Sequence, residues 1–267
     1  IAEQDMIGTA AGLAMMGKIP FACSFSQFVT SKALEQLRLA VCYQQLPVKV
    51  VGSHGGLSVG ADGATAEALE ELTHMRSLPH MTVIVPCDAL EAKKATLAVA
   101  DYPGPVFLRL GRNPVPLITK PEGPFLIGQA NVLRDGTDVS LIACGTMVTQ
   151  ALSAAELLAK DGIQARVINV HTIKPIDKTS IVQAARDTAA IVTAEEHTVL
   201  GGLGGAVAEV VVQEHPVPMR FVGVMDRFGT SGDPADLFKA FGLMPEDIAH
   251  AAKDVLRLKQ HTFGSRL

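Results

Sequence analysis

The sequence predicts an α/β protein built as two layered α/β domains, each a mainly parallel sheet flanked by helices. Three observations lead there. Short β-rich apolar runs alternate with longer stretches of helical period. The runs are nearly continuous in apolar residues, as in strands covered on both faces. The alternation halts in a segment containing Pro114, Pro116, Pro121 and Pro124, then starts again.

In the first half, residues 5–17 read as an Ala/Gly-rich helix, 19–24 as a strand, 28–43 as a helix and 48–53 as a strand. Residues 65–75 read as a helix, 82–86 as a strand, 89–100 as a helix and 105–109 as a strand. Proline density then excludes regular structure, which places a linker at 113–126 between a first domain at 1–112 and a second at 127–267. The second half reads as strand 139–143, helix 147–160, strand 165–169, helix 176–185, strand 190–194, helix 203–213 and strand 220–223. Pro175 is expected to set the first turn of the helix at 176. Two helices, 233–241 and 245–258, close the pattern.

Hydrophobic residues make up 48% of the 267 residues, but aromatics only 4%, and Trp is absent. The core must therefore be Ala, Val, Leu and Ile. A formal net charge of -4 gives no basic footprint for nucleic acid, which favours a small-molecule substrate. No apolar run reaches membrane-spanning length; the longest, 7–17, ends at Lys18. No signal peptide is visible, and the start at Ile1 without Met predicts a missing or trimmed N-terminus. Cys23, Cys42, Cys87 and Cys144 are scattered, with no CxxC pair and no metal spacing. They read as reduced, buried thiols of a cytoplasmic protein.

Several residues invite a chemical reading beside a plain one. Glu3 opens a helix, where a carboxylate is most simply a partner of the helix dipole. The small side chains of Gly8, Ala10, Ala11, Gly12 and Ala14 suit close packing against another element, and a carboxylate at such a rim would be desolvated and raised in pKa. Phe25 and Phe28 stand at a strand end, where Phe is usually core. His54 begins a run of small residues after a strand, at the sheet edge where ligands bind in parallel α/β folds. Asp62-Gly63 reads as an ordinary turn, and Arg112 as a surface residue before the linker. Gly201-Gly202-Leu203-Gly204-Gly205 does not follow the dinucleotide pattern and reads as a tight helix entry.

Taken in order, Ile1-Ala2-Glu3-Gln4, Ser24-Phe25-Ser26-Gln27-Phe28 and Ser53-His54-Gly55-Gly56-Leu57-Ser58-Val59-Gly60-Ala61-Asp62-Gly63 resemble the transketolase family of thiamine-diphosphate enzymes. Leu108-Arg109-Leu110-Gly111-Arg112, Lys174-Pro175-Ile176-Asp177, Glu195-Glu196-His197 and Phe228-Gly229-Thr230-Ser231-Gly232 extend the likeness to about Leu258, leaving the tail from His261 to Leu267 unassigned. The resemblance implies a pyrimidine-binding domain lacking its first elements, followed by a transketolase C-terminal domain. It implies that Glu3 bonds the far nitrogen of the cofactor's aminopyrimidine and drives the tautomer that activates the thiazolium carbon. Phe25 and Phe28 would pack against that ring. His54 and Asp62 would contact the donor sugar, with His54 assisting proton transfer, and Arg112 would bind phosphate.

Three positions depart from the family pattern. Ala61 stands where Glu is usual, Ala66 where His or Gln is usual, and Ser31 where some members carry a further aromatic. The first two losses remove sugar contacts, so the ordinary pentose-phosphate substrate is not assured. The magnesium–diphosphate motif, G-D-G followed by an Asn-bearing segment, is absent. The resemblance therefore implies a C-terminal half, as a split subunit or as part of a longer chain, inactive alone. The magnesium and diphosphate would be held by a partner, around a homodimer of this half. The alternatives are a 1-deoxyxylulose-5-phosphate synthase-like enzyme, a ketol transferase for an unusual sugar, and a non-catalytic structural subunit.

Overall fold

A computed structural model describes residues 1–263; of the C-terminal tail, residues 264–267 lie outside the described residues. The first half runs α1 (Glu3–Met15), β1 (Phe21–Phe25), α2 (Ser26–Ser31), α3 (Leu34–Gln36), a π-helical turn (Leu37–Cys42) and β2 (Lys49–Ser53). A 3₁₀ segment (Leu57–Asp62), α4 (Glu71–Ser77), β3 (Thr82–Ile84), α5 (Ala89–Ala100) and β4 (Val106–Arg109) follow. The second half runs β5 (Asn131–Arg134), β6 (Val139–Ala143), α6 (Met147–Lys160), β7 (Ala165–Asn169), β8 (Thr172–Lys174), α7 (Lys178–Thr188) and β9 (Ile191–Thr198). It ends with α8 (Leu203–Glu214), β10 (Met219–Val224), α9 (Pro234–Phe241) and α10 (Pro245–Phe263).

Two five-stranded sheets result, ordered β1-β2-β4-β3-β8 and β10-β9-β6-β7-β5. Each is parallel except for one antiparallel edge strand, β8 in the first and β5 in the second. Neither edge strand is expected from the sequence pattern. β8 leaves the second half of the chain and pairs with β3, Val83 opposite Lys174. One apolar cluster joins Ile7, Val50 and Phe107 of the first half to Ile142, Ile173 and Leu203 of the second. The two halves therefore share core as well as a sheet.

Three expected helices differ. Residues 28–43 are not one helix: the backbone leaves α geometry at Ala33 (φ -102°, ψ 18°), and the following turn widens so that Tyr43 N–H reaches Arg38 O at 2.9 Å. The helix expected at 65–75 begins only at Glu71. Upstream, the backbone is committed elsewhere: Gly56 N–H donates to Ala68 O and Thr198 N–H to Leu69 O, both at 2.9 Å. Pro175 precedes α7 rather than setting its first turn; Asp177 caps it, accepting from Ser180 N–H at 3.0 Å. The thiols also need correction: Cys42, Cys87 and Cys144 are buried, but Cys23 on the edge strand β1 is exposed.

Candidate active site

The parallel strands of the first sheet end in three of the expected segments. Phe25 is the last residue of β1, His54 follows β2, and Arg112 lies three residues beyond β4. This is the carboxyl edge, where α/β sheets bind ligands. Glu3, at the start of α1, reaches the same region through Lys32, whose Nζ lies 3.5 Å from Glu3 Oε2. That ammonium also sits 4.5 Å from the centroid of the Phe28 ring. Phe28 stacks on Phe25 at 5.7 Å, and Phe25 on His54 at 3.8 Å. Four expected residues thus form one continuous row, Glu3, Phe28, Phe25 and His54, with Lys32 as a link that sequence reasoning missed.

Glu3 is buried, 5% exposed, yet its carboxyl is held below the ordinary range rather than raised as expected. The backbone N–H at the helix start is the largest cause and outweighs desolvation, and the Lys32 charge lowers the pKa further. The expected close packing of its helix is one-sided. Ile7, Ala10 and Ala11 are buried, but Gly8 and Gly12 face open space.

His54 adopts φ 58°, in the left-handed region that non-glycine residues seldom enter. Its Nδ1 lies 3.0 Å from Ser53 Oγ, and that hydroxyl donates to Ser24 O at 3.3 Å. The serine oxygen therefore accepts, Nδ1 carries the proton, and Nε2 is left as a base or acceptor. Burial first, then the charge of Arg112, lowers the His54 pKa; Asp62 opposes them. Asp62 and Arg112 form their own pair, 3.2 Å apart, and Arg112 also donates to Val59 O at 2.8 Å. Both remain about one-third exposed, at 35% and 39%. Ala61 is exposed and Ala66 is buried, so neither supplies a polar group.

Beneath the glycine loop lies a buried charged cluster that the sequence pattern did not single out. Arg109 donates through Nε to the Glu71 carboxylate and through a terminal nitrogen to the Glu196 carbonyl, the latter at 2.8 Å. The Glu195 carboxylate accepts from Leu203 and Gly204 N–H at 2.7 and 2.8 Å, capping α8. That is why Gly202 is needed at the entry: a Cβ there would overlap the Glu195 carboxyl. Burial pushes both Glu71 and Glu195 up to about 7. His197 receives Leu72 N–H on Nε2 and faces Thr198 O with Nδ1, so it is neutral; burial and Arg109 drive its pKa to about 3. The one available sequence signal was Glu195-Glu196-His197 running straight on from an apolar strand. Among the described residues, no group of three or more His, Cys, Asp or Glu is placed to hold a metal, and no helix is long and apolar enough to cross a membrane.

Comparison with known proteins fits this geometry. The model of the transketolase pyrimidine binding domain matches residues 1–116, and that of the transketolase C-terminal domain matches residues 128–248. The chain is 44% identical over 259 residues to a 6-deoxy-6-sulfo-D-fructose transketolase subunit of Clostridium sp. (strain MSTE9), covering 97% of this chain and 80% of that protein. It is 40% identical over 258 residues to an apulose-4-phosphate transketolase subunit of Phocaeicola vulgatus, covering 96% and 82%. A solved structure described as a split gene transketolase, inactive beta4 tetramer, superposes with a TM-score of 0.92 at 45% identity, covering 97% of this chain and 83% of that one. With both domain models matched in order and relatives at 40% and 44% identity covered over about four fifths of their length, the chain belongs to the transketolase family.

Proposed function

We propose that the chain is one subunit of a split transketolase, transferring a two-carbon ketol unit between sugar phosphates once a partner bearing the diphosphate-binding domain completes the site. The convergence of Glu3, Phe28, Phe25 and His54 into one row at the sheet edge carries this reading. The row fits the aminopyrimidine half of thiamine diphosphate: a carboxyl at one end, a flat aromatic wall, and an imidazole acceptor at the other. When bound, that cofactor supplies a nucleophilic carbon and an electron sink. The ionised Glu3 carboxylate would accept a hydrogen bond from the far pyrimidine nitrogen once that nitrogen is protonated, and Phe25 and Phe28 would exclude water from the ring's face. His54 Nε2 takes a donor hydroxyl proton, Asp62 bonds a donor hydroxyl, and Arg112 pairs with the phosphate. On this reading the magnesium and the diphosphate would be held by the partner.

The outer face of α1 supports the need for a partner. Gly8 and Gly12 open onto solvent beside Leu13 and Met16, which are 47% and 79% exposed. A second reading, a ketol transferase acting on a less common sugar, is favoured by Ala61 and Ala66. The two relatives named for 6-deoxy-6-sulfo-D-fructose and apulose-4-phosphate point the same way. The test is co-purification from the source lysate, mass spectrometry, and a ketol-transfer assay with thiamine diphosphate and magnesium. A partner carrying the G-D-G…N motif, with transfer from common ketose phosphates, supports the first reading. Transfer only from other sugars supports the second. Assembly without transfer from any donor would leave a structural subunit.

A further inference from the structure

The glycine loop that carries His54 and Asp62 is held from the other half of the chain. Glu196, near the end of β9, accepts Ser58 N–H on Oε1 and the Thr146 hydroxyl on Oε2, the latter at 2.6 Å. On its other side, Ser58 O accepts from Asn113 Nδ2 at 2.7 Å. Residue 58 is thus gripped through both backbone groups. The Glu196 carbonyl is itself fixed by Arg109, at 2.8 Å. Gly56 (φ 92°) makes the approach possible, because a Cβ there would overlap the Glu196 carboxyl and the Arg109 guanidinium. A weaker contact, Gly232 N–H to Gly60 O at 3.4 Å, secures the far end of the loop.

Glu196 is 2% exposed, and its carboxylate oxygens face loop 58 and α6. Each carboxylate oxygen accepts one bond, from a loop amide and from a hydroxyl at the start of α6, so both are committed to holding structure. Glu196 fixes the backbone between His54, whose positive φ needs outside support, and Asp62.

We propose that Glu196 is a positioning residue: from the second sheet it clamps the loop at Ser58 and so sets the orientation of His54 and Asp62. The second half of the chain thereby acts on a donor site that it does not touch. The catalytic consequence rests on the donor reading given above; the clamp itself does not.

The test uses the full chain and the variants Glu196→Ala and Glu196→Gln. In Glu196→Ala, amide exchange over residues 55–60 rises roughly tenfold while the strands of both sheets keep their protection, because a charge-assisted bond to a backbone amide is lost. The His54 ring resonances shift with it. Glu196→Gln restores both, since its amide oxygen still accepts from Ser58. In the complex reconstituted with its partner, Glu196→Ala raises KM for the ketol donor more than it lowers kcat. Unchanged exchange at 55–60 overturns the proposal. So does loosening spread evenly over both sheets that Gln fails to reverse. If Glu196→Ala does not fold, Thr146→Val removes one contact alone; the same loop-restricted change at smaller size is expected, and no change overturns the proposal. Loosening with an unaltered donor KM would leave the clamp standing and overturn instead the assignment of His54 and Asp62 to the donor.

Discussion

The rings of Phe25 and His54 lie face to face, their centroids 3.8 Å apart and their planes inclined by 17°. This stack joins the aromatic wall to the imidazole, so the two functions are mechanically one. Phe25→Leu keeps an apolar side chain but removes the flat contact, which contributes about 0.5–1.5 kcal/mol beyond burial. The expected result is a small loss in melting temperature and up to about tenfold weaker thiamine diphosphate binding by the reconstituted complex. Titration calorimetry beside a thermal melt checks it; unaltered affinity would detach Phe25 from the cofactor.

Glu3→Gln conserves shape and removes the charge that Lys32 and the helix start stabilise. Assembly with the partner should survive. Ketol transfer should fall by about 100-fold or more, as expected when an acid–base group is lost. Sedimentation and steady-state rates on the same sample separate the two. Activity within a few fold of the parent would leave Glu3 a helix-dipole partner only.

Arg112 holds Asp62 by one nitrogen and leaves its fork partly exposed. Arg112→Ala should raise KM for a phosphorylated donor by roughly 10–100-fold, the worth of a charge-assisted bond, with little effect on an uncharged donor. Arg112→Lys should recover only part, because an ammonium lacks the planar fork. Equal effects on charged and uncharged donors would argue against a phosphate contact.

Glu67 is 3% exposed, and neither of its carboxylate oxygens has a hydrogen-bond partner among the described residues. Burial, then the charge of Glu196, raises its pKa from 4.5 to about 7. The folded chain binds this proton more tightly than the unfolded chain does. The stabilisation is therefore fully present below about pH 4.5 and is lost as pH rises through about 7. Glu67→Gln removes that loss, so its stability relative to the parent should improve by about 1–3 kcal/mol between pH 5 and pH 8. His197, depressed to about 3, has the opposite slope below pH 6.5, but it is present in both proteins and cancels. Urea unfolding at the two pH values decides; parallel pH profiles would remove Glu67 from the account.

The strands at 139–143 and 165–169 and the helices at 89–100 and 147–160 could be read to the residue, because each carries an unbroken local period. β5 and β8 could not. They are four and three residues long, and what makes β8 a strand is β3, about 90 residues earlier in the chain. The site divides in the same way. Glu3, Phe25, Phe28 and His54 stand out through the spacing of a family motif. Glu71 carries no signal in the sequence and Glu196 only as part of Glu195-Glu196-His197; the fold brings them under the glycine loop. Lys32 hid in a helix that the structure breaks beside it, at Ala33.

The position of β8 bears on how this protein can be cut. Dividing the chain within its proline-rich stretch would not release two finished pieces. The front piece would end its sheet at β3, with a row of unpaired backbone groups where Thr172–Lys174 had been. An open, apolar margin of that kind recruits strands from neighbouring molecules. Expressed alone, residues 1–126 should therefore self-associate into insoluble material, and a version carrying a tethered copy of Thr172–Lys174 should remain in solution.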